Sequence, residues 1–287
     1  MNINYKEDRA IISGEYIDVK TVFDCGQFFR FFEEDGVFHA IAADKLIYIE
    51  NNGENLEIYP VKKADMDDFW SLFLRLDMSY NQIEERFSKD EILKKTVPVC
   101  RGMRILHQGE FETLISFIIS ANNNIKRIKK IIEAICAAVG EKKKVGEREY
   151  YAFPTPDALS ELSVEQLTQC GAGYRAPYIR DTAKKIAQGF DLKCVYEMDY
   201  AQAKKYLCTL MGVGPKVADC ILLFAYNKFD AFPVDTWVKK ILKELYSFEP
   251  KNNEQAVAFA QERFGQEAGI AQQYLFHYMR TVNNLHS

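Results

Sequence analysis

A short stretch of the chain, Leu210–Cys220 (LMGVGPKVADC), places two glycines, a proline and a lysine in front of an apolar run. Gly212 and Gly214 predict a tight turn, and Pro215 suits the first position of a helix because its fixed φ is already helical. The amides of Gly212, Gly214 and Val217 would then be free to bind an anion, and a DNA phosphate is the natural ligand. A nucleotide P-loop is excluded, because that motif needs four residues before its Gly-Lys pair and a Ser or Thr after it.

Lys216 lies in the first turn of this predicted helix, where the helix dipole disfavours a cation. Burial would lower the pKa of its ammonium group further. A lysine with a lowered pKa is a nucleophile that could form a Schiff base at a sugar carbon. The alternative is a phosphate-binding lysine on an exposed turn, and the hairpin alone does not decide between the two.

A second candidate, Asp235, directly precedes the predicted helix that begins at Thr236. Aspartate at such a position is most often a helix N-cap. A carboxylate placed there could also stabilise positive charge that develops on a sugar ring. The two roles are compatible.

The rest of the pattern predicts the elements that must position these residues. Residues 1–60 predict strands, because apolar and polar residues alternate around the turn residues Asn51-Asn52-Gly53. From Asp65 to the C terminus the pattern is helical, and the charged segment Glu141–Glu149 predicts an exposed loop. The predicted helices span residues 110–120, 125–135, 163–169, 176–189, 200–210, 215–225, 234–246 and 254–284.

Composition and charge exclude several classes of protein. The net charge of −4 argues against a general polyanion binder, so any DNA-binding charge must be concentrated on one face. No apolar run approaches the ~18 residues of a membrane span, and the N terminus does not resemble a signal peptide. The seven cysteines include no CxxC pair, and the four histidines lie far apart, so we expect a reducing cytoplasm, no zinc or iron–sulfur site, no catalytic metal and no cofactor.

The motifs together resemble those of the helix-hairpin-helix–Gly/Pro/Asp superfamily of base-excision DNA glycosylases. Gly212-Val-Gly-Pro-Lys216 and Pro233-Val-Asp235 match it, with 19 residues from lysine to aspartate. Lys216-Val-Ala-Asp-Cys220 and the segment Ser120-Ala-Asn-Asn-Asn-Ile resemble the eukaryotic-type 8-oxoguanine DNA glycosylases, which have bacterial relatives. The likeness extends from Phe23 to Phe276, and the hairpin alone would mark only DNA binding.

This resemblance implies that Lys216 attacks C1′ of the damaged nucleotide, expels the base and holds the sugar as a Schiff base. Asp235 would stabilise the transition state, and β-elimination from the imine would nick the strand. For the base pocket, the resemblance implies that the carbonyl of Gly26 accepts the N7 hydrogen of 8-oxoguanine, which guanine lacks. Cys220 and Phe276 would pack against the base and Gln272 would read its Watson–Crick edge. Without the family, Gly26 is a turn glycine, Cys220 and Phe276 are core residues and Gln272 is helix surface.

The resemblance also implies a DNA-bending surface. Asn122 would fill the gap left by the extruded base, Tyr174 would act as a wedge, and Arg127 and Arg175 would hold the orphaned cytosine. Taken singly, Arg127 belongs to a solvated helix face. A structural cation on the carbonyls of the hairpin is a further expectation, and its ligands would be Cys208, Leu210 and Val213.

Two positions depart from the family pattern. A histidine that touches a phosphate is replaced by Trp237, and its acidic partner is replaced by Met279. The phosphate contact on that side is therefore expected to differ.

We expect an α+β fold with an N-terminal antiparallel sheet domain and helix (residues 1–95) and a helical region (96–287). A helix-hairpin-helix at about 200–225 would lie at a cleft between two helical lobes. The expected function is a monomeric, cytoplasmic 8-oxoguanine glycosylase and abasic-site lyase (nucleoid-associated if bacterial), acting on double-stranded DNA with cytosine opposite the lesion. The alternatives are a superfamily glycosylase for another base, or a non-enzymatic DNA-binding protein. The absence of a four-cysteine cluster disfavours the iron–sulfur branches.

Overall fold

A six-stranded antiparallel sheet forms the N-terminal part of the protein, as the alternating pattern predicts. The computed structural model describes residues 1–284; Leu285, His286 and Ser287, at the end of the predicted 96–287 region, lie outside the described residues. In space the strands follow the order β1-β2-β6-β5-β4-β3. The strands are β1 (Asn2–Lys6), β2 (Arg9–Ser13), β3 (Phe31–Glu34), β4 (Val37–Ala42), β5 (Lys45–Asn52) and β6 (Asn55–Tyr59).

One face of this sheet is apolar and packs against the helical turns that follow β6. Ile49 of β5 stands opposite Ile58 of β6, and both side chains are fully buried. Trp70 and Phe73, from the helical turns that follow β6, close this core. The sequence pattern missed a short helix, α1 (Val19–Asp24), between β2 and β3.

Helices make up most of the remainder, and the α+β fold class is confirmed. The helices after α1 are α2 (Lys63–Asp65), α3 (Ser71–Phe73), α4 (Tyr80–Phe87), α5 (Leu93–Thr96), α6 (Glu110–Ser120), α7 (Ile125–Val139), α8 (Pro156–Ser160), α9 (Val164–Gln169), α10 (Ala176–Ala187), α11 (Tyr200–Leu207), α12 (Pro215–Ala225), α13 (Thr236–Tyr246), α14 (Asn253–Phe264) and α15 (Ala268–Asn284). A π-helical turn (Met66–Trp70) and 3₁₀ turns at Gly173–Arg175, Lys193–Glu197 and Gly265–Glu267 complete the set. The predicted helix 254–284 is therefore two helices, α14 and α15, which Gly265 separates with φ +58°.

The predicted loop at Glu141–Glu149 is wrong, because this segment forms a hairpin of β7 (Lys142–Val145) and β8 (Arg148–Tyr151). Its charged side chains hid the strand pattern. The hairpin is stabilised by docking, since Tyr150 packs on a small apolar cluster of the main sheet and donates a hydrogen bond to the Asp44 carbonyl at 2.8 Å.

The helical core centres on α12, whose residues from Val217 to Ala225 are all buried. Helix α6 packs against it, and the rings of Phe117 and Phe224 stack with centroids 5.3 Å apart. Continuous burial fixes α12 in place, so the residues at its N-terminal end are held rigidly. Within residues 1–284, no helix is long and apolar enough to cross a membrane.

Candidate active site

The turn between α11 and α12, residues 208–214, is called the hairpin turn here, and its two glycines serve different purposes. Gly212 has φ +84°, and a Cβ at this position would lie 2.8 Å from Cβ of Tyr178. Only glycine fits there. Gly214 has φ −86° and caps α12 with open space where a Cβ would stand, so the expectation that the turn needs glycine here is wrong. Its missing side chain instead leaves the backbone open to a ligand.

The hairpin turn presents free donors at the start of α12. Among the residues that the structure describes, the amides of Gly212, Gly214 and Val217 have no hydrogen-bond acceptor. Pro215 occupies the first helical turn, as predicted. Unpaired amides at a helix N-terminus favour an anion.

An ion pair that the sequence analysis missed holds the two hairpin helices together. Nζ of Lys204 on α11 lies 2.8 Å from Oδ2 of Asp219 on α12, and the hydroxyl of Tyr200 donates to Oδ1 at 2.8 Å. Burial raises the pKa of Asp219 to about 6, although Lys204 and Tyr200 oppose that shift. A lysine and an acid fifteen positions apart give no local sequence signal.

Beside the start of α12 lies a small cavity, called the base cavity here, of about 70 Å³. Its walls come from the loop after α1 and from α6, α12, α15 and the start of α13. The lining residues are Cys25, Gly26, Phe117, Lys216, Cys220, Phe224, Pro233, Asp235, Gln272, Gln273 and Phe276. Every residue that the sequence analysis assigned to catalysis or to the base pocket therefore lines one cavity.

Lys216 is half-buried in this cavity, with Nζ 5.6 Å from the ring centroid of Phe117. The expectation of a lowered pKa is wrong: interaction with Cys220 raises the pKa of Lys216, burial opposes the rise, and the Asp235 carboxylate adds to it. Burial also raises the pKa of the Cys220 thiol, and Lys216 opposes that rise. Asp235 is the carboxylate that lines this cavity, and its charge adds to the stabilisation of the Lys216 ammonium group.

Asp235 is the N-cap of α13, as its position predicts. Its Oδ1 accepts the amide hydrogen of Val238 at 2.9 Å. This bond fixes the carboxyl group at the part of the cavity wall formed by the start of α13. One cavity thus contains an amine and an anchored carboxylate.

Gly26 lies in the loop after α1 with φ +86°, which favours glycine. The next residue anchors this loop. The side-chain amide of Gln27 donates to the carbonyls of Val22 at 2.9 Å and Arg104 at 2.7 Å, and its oxygen accepts from the Leu106 amide at 2.8 Å. The backbone at Gly26 is thus presented to the cavity at a fixed position.

Helix α15 contributes another wall of the cavity. Gln272 is buried and Phe276 half-buried, one turn apart on the same face. Two residues missed from sequence support them. Gln273 also lines the cavity, and Arg280 donates to the Asp24 carbonyl at 3.0 Å, which ties α15 to the loop that carries Gly26.

The residues expected to contact DNA outside the cavity cluster around the α6–α7 turn. Asn122 is exposed with φ +53°, Tyr174 is 57% exposed, and Arg127 is exposed with its Nη2 3.4 Å from the Gly171 carbonyl. Arg175, expected to hold the orphaned cytosine, has a buried side chain. Its guanidinium donates to the carbonyls of Ala121, through Nε at 2.8 Å, and of Asn122, at 2.8 Å. Arg175 therefore supports the turn that carries Asn122.

The two departures from the family pattern have distinct surroundings. Trp237 is 44% exposed beside Asp235, with Nζ of Lys240 5.5 Å from its ring centroid, whereas Met279 is buried.

At the hairpin turn, the Leu210 carbonyl accepts from the Val213 amide at 3.2 Å. The carbonyls of Cys208 and Val213 accept no hydrogen bond within the described part of the chain, so the three oxygens retain lone pairs for a cation. Across residues 1–284, no group of three His, Cys, Asp or Glu side chains is arranged to hold a metal ion.

Comparison with known proteins defines the class first. Residues 115–266 match the model of the HhH-GPD superfamily base excision DNA repair proteins. Residues 10–114 match the model of the 8-oxoguanine DNA glycosylase N-terminal domain. The chain belongs to the HhH-GPD superfamily of base excision DNA repair proteins, and its N-terminal part is that of an 8-oxoguanine DNA glycosylase.

Individual relatives agree with this assignment. The chain is 34% identical over 247 residues to a probable N-glycosylase/DNA lyase of Methanothermobacter thermautotrophicus, covering 79% of this chain and 74% of the relative. It is 29% identical over 280 residues to the N-glycosylase/DNA lyase of Saccharomyces cerevisiae, covering 88% and 74%. A crystal structure of the Clostridium acetobutylicum 8-oxoguanine glycosylase/lyase, in complex with DNA containing cytosine opposite 8-oxoG, superposes with a TM-score of 0.95 at 40% identity, covering 99% of both chains.

Proposed function

We propose that this protein excises 8-oxoguanine from double-stranded DNA and then nicks the resulting abasic site. The observation that carries the proposal is the base cavity, where an amine, an anchored carboxylate and the four expected base-pocket residues line one space. The relatives are named for the same two activities, and the Clostridium structure contains 8-oxoG opposite cytosine.

The chemistry begins with proton loss from Lys216, because an ammonium group has no lone pair with which to attack. Nζ then forms a bond to C1′ as the glycosidic bond breaks, and the base leaves with the bonding electrons and takes up a proton. Asp235 stabilises the positive charge on the sugar ring during this step. Opening of the sugar ring gives a protonated imine, from which loss of a C2′ proton expels the 3′ phosphate and nicks the strand.

The raised pKa of Lys216 determines what substrate binding must accomplish. Of the charged side chains that line the cavity, Asp235 is the carboxylate and Lys216 the cation. Asp235 is therefore suited to accept the lysine proton, as well as to stabilise the sugar cation. Burial of the nucleotide beside them removes water from the pair and strengthens both interactions.

The base cavity must enlarge to admit a purine. Its volume of about 70 Å³ is well below the ~300–1,000 Å³ of ordinary ligand pockets. Phe276 is half-buried at its wall and is the ring that we expect to move and then stack on the base. The Gly26 carbonyl would accept the N7 hydrogen of the lesion, Gln272 would read its Watson–Crick edge, and Cys220 would pack against it.

The remaining assignments concern the duplex. Asn122, Tyr174 and Arg127 would occupy and flank the gap left by the flipped nucleotide, with Arg175 holding their turn in place. The amides of the hairpin turn would bind a backbone phosphate, and a structural cation on its carbonyls would add positive charge there. We propose the domain division given above (1–95 and 96–287), a monomer, and a cytoplasmic location with the chromosome, because the substrate is DNA.

An oligonucleotide cleavage assay tests this function. Duplexes with 8-oxoG or G opposite cytosine are incubated with the protein, and alkali treatment then separates base release from nicking. We expect release and nicking only with 8-oxoG, and neither with Lys216→Gln. Nicking that survives Lys216→Gln would contradict the proposal, and preference for another lesion in a panel of duplexes would redirect it.

Opposite-base preference is tested in the same assay. We expect cytosine opposite the lesion to be favoured over A, G and T. Equal rates opposite all four bases would remove the role proposed for Arg127.

A further inference from the structure

Two neighbouring glutamines on α15 share the wall of the base cavity. Gln272 is 5% exposed and Gln273 is 6% exposed. Nε2 of Gln273 donates a hydrogen bond to Oε1 of Gln272 at 2.6 Å. Among the described residues, Oε1 of Gln273 has no hydrogen-bond partner, although it is buried.

This arrangement is not what packing alone would select. The following residues, Tyr274 and Leu275, are fully buried core side chains. A buried amide oxygen without a partner is unfavourable, and a methionine of similar shape would avoid that penalty. The amide at position 273 therefore makes one directed contact, its hydrogen bond to Gln272, at the expense of an unpaired oxygen.

A primary amide that reads a base has two orientations that differ by a half-turn and exchange donor and acceptor. The Watson–Crick edge of a guanine-type base presents an acceptor, O6, beside a donor, N1–H, so only one orientation of a reading amide matches it. The hydrogen bond from Gln273 fixes the orientation of the Gln272 amide. Nε2 of Gln272 and one lone pair of its Oε1 remain available to the base.

We propose that Gln273 is a positioning residue for base recognition, because it holds the amide of Gln272 in the orientation that matches the lesion. The inference rests on the function proposed above. Gln273 acts through Gln272 and needs no contact of its own with the base. Immobilising a long side chain in this way is worth a factor of about two to ten in binding.

The test compares base excision with the lyase reaction on a duplex that already contains an abasic site, where no base is read. Gln273→Met keeps the side-chain volume and removes the donor. We expect its single-turnover excision of 8-oxoG opposite cytosine to fall by about two- to tenfold relative to its abasic-site lyase rate. Gln266→Met, at an exposed position, is the matched control and should leave this ratio unchanged.

A double-mutant cycle separates positioning from packing. In a Gln272→Ala background, Gln273→Met should lower excision no further, because there is no amide left to orient. The same fold-loss in both backgrounds, or equal losses of excision and lyase activity, would overturn the inference while leaving the proposed function intact. A wild-type protein that does not excise 8-oxoG would overturn both.

Discussion

The hairpin turn and the base cavity both adjoin the N-terminal end of α12, but they differ in the space that they offer to a ligand. The hairpin turn is accessible. Among the described residues, the amides of Gly212, Gly214 and Val217 have no acceptor, and the space that a Cβ of Gly214 would occupy is free. The base cavity is narrow: it holds about 70 Å³, and its lysine is kept charged by its neighbours. Under the proposed function, the phosphate contact would be preformed, whereas base binding and activation of Lys216 would require the substrate.

This difference suggests a division of labour. A preformed phosphate contact fixes the register of the duplex without reading its sequence. Under the proposed function, selectivity would then depend on the energy of enlarging the narrow base cavity, which hydrogen bonds of the lesion to Gly26 and Gln272 would offset and a normal base would not. The following experiments test each side of the comparison.

The largest effect is expected from replacing the Asp235 carboxylate in the base cavity. Asp235→Asn keeps an N-cap, since asparagine caps helices as well as aspartate does, but removes the charge. Base excision under single-turnover conditions should fall by about 10²-fold or more, with the thermal unfolding midpoint nearly unchanged. Asp235→Ala is the comparison, because it should also lose about 0.5–2 kcal/mol of stability. Near-normal excision by Asp235→Asn would show that the anchored charge is not used.

The pH dependence of imine formation tests the charge state of Lys216 in the base cavity. A raised pKa keeps Lys216 protonated through the neutral range, so the neutral fraction grows as pH rises toward that pKa. Borohydride trapping of a preformed abasic site should accelerate by up to about tenfold per pH unit between pH 6 and 9. Affinity for a non-cleavable abasic analogue, measured across the same range, controls for binding. A plateau that begins at or below neutral pH would indicate a lysine with a lowered pKa.

The two glycines of the hairpin turn form a matched pair of test positions. Gly214→Ala fits the backbone and should fold normally, but its methyl group stands where a phosphate would approach. Affinity for the abasic analogue should fall by about tenfold, as expected for loss of a charged hydrogen bond. Gly212→Ala should instead lower the unfolding midpoint, because of its positive φ and the contact with Tyr178. Unchanged DNA affinity of a folded Gly214→Ala protein would place the phosphate elsewhere.

The smallest effects are expected at the α6–α7 turn. Arg127→Ala should reduce the preference for cytosine opposite the lesion several-fold without affecting stability, because the side chain is exposed. Arg175→Met should lower stability by about 1–3 kcal/mol, because it removes the guanidinium that donates to the carbonyls of Ala121 and Asn122 and leaves the Asn122 carbonyl without that donor. Chemical denaturation and the opposite-base assay distinguish the two. A stable Arg175→Met protein would show that this turn does not need its support.

The sequence predicted the elements whose stabilising contacts are local. Helices α6 and α12 begin and end where the apolar periodicity and Pro215 indicated, and Asp235 caps α13. The β7–β8 hairpin was missed because its stability comes from docking on the distant main sheet.

Within the candidate site, the sequence and the family resemblance supplied the residue types and their grouping. They did not supply the charge state of Lys216, which depends on Cys220 and Asp235 packed around it. They also missed Gln273 and Arg280, whose contacts join neighbouring amides or elements far apart in the chain. The volume of the cavity depends on side-chain packing and has no local signature.

The proposed mechanism requires that Lys216 become the covalent nucleophile once the nucleotide enters the cavity. Reaction of the protein with a duplex containing 8-oxoG opposite cytosine, in the presence of borohydride, should yield a protein–DNA adduct that peptide mass spectrometry places on Lys216. The adduct should be absent with Lys216→Gln. An adduct on another residue, or strand nicking that persists in Lys216→Gln, would contradict the role of Lys216 as the nucleophile.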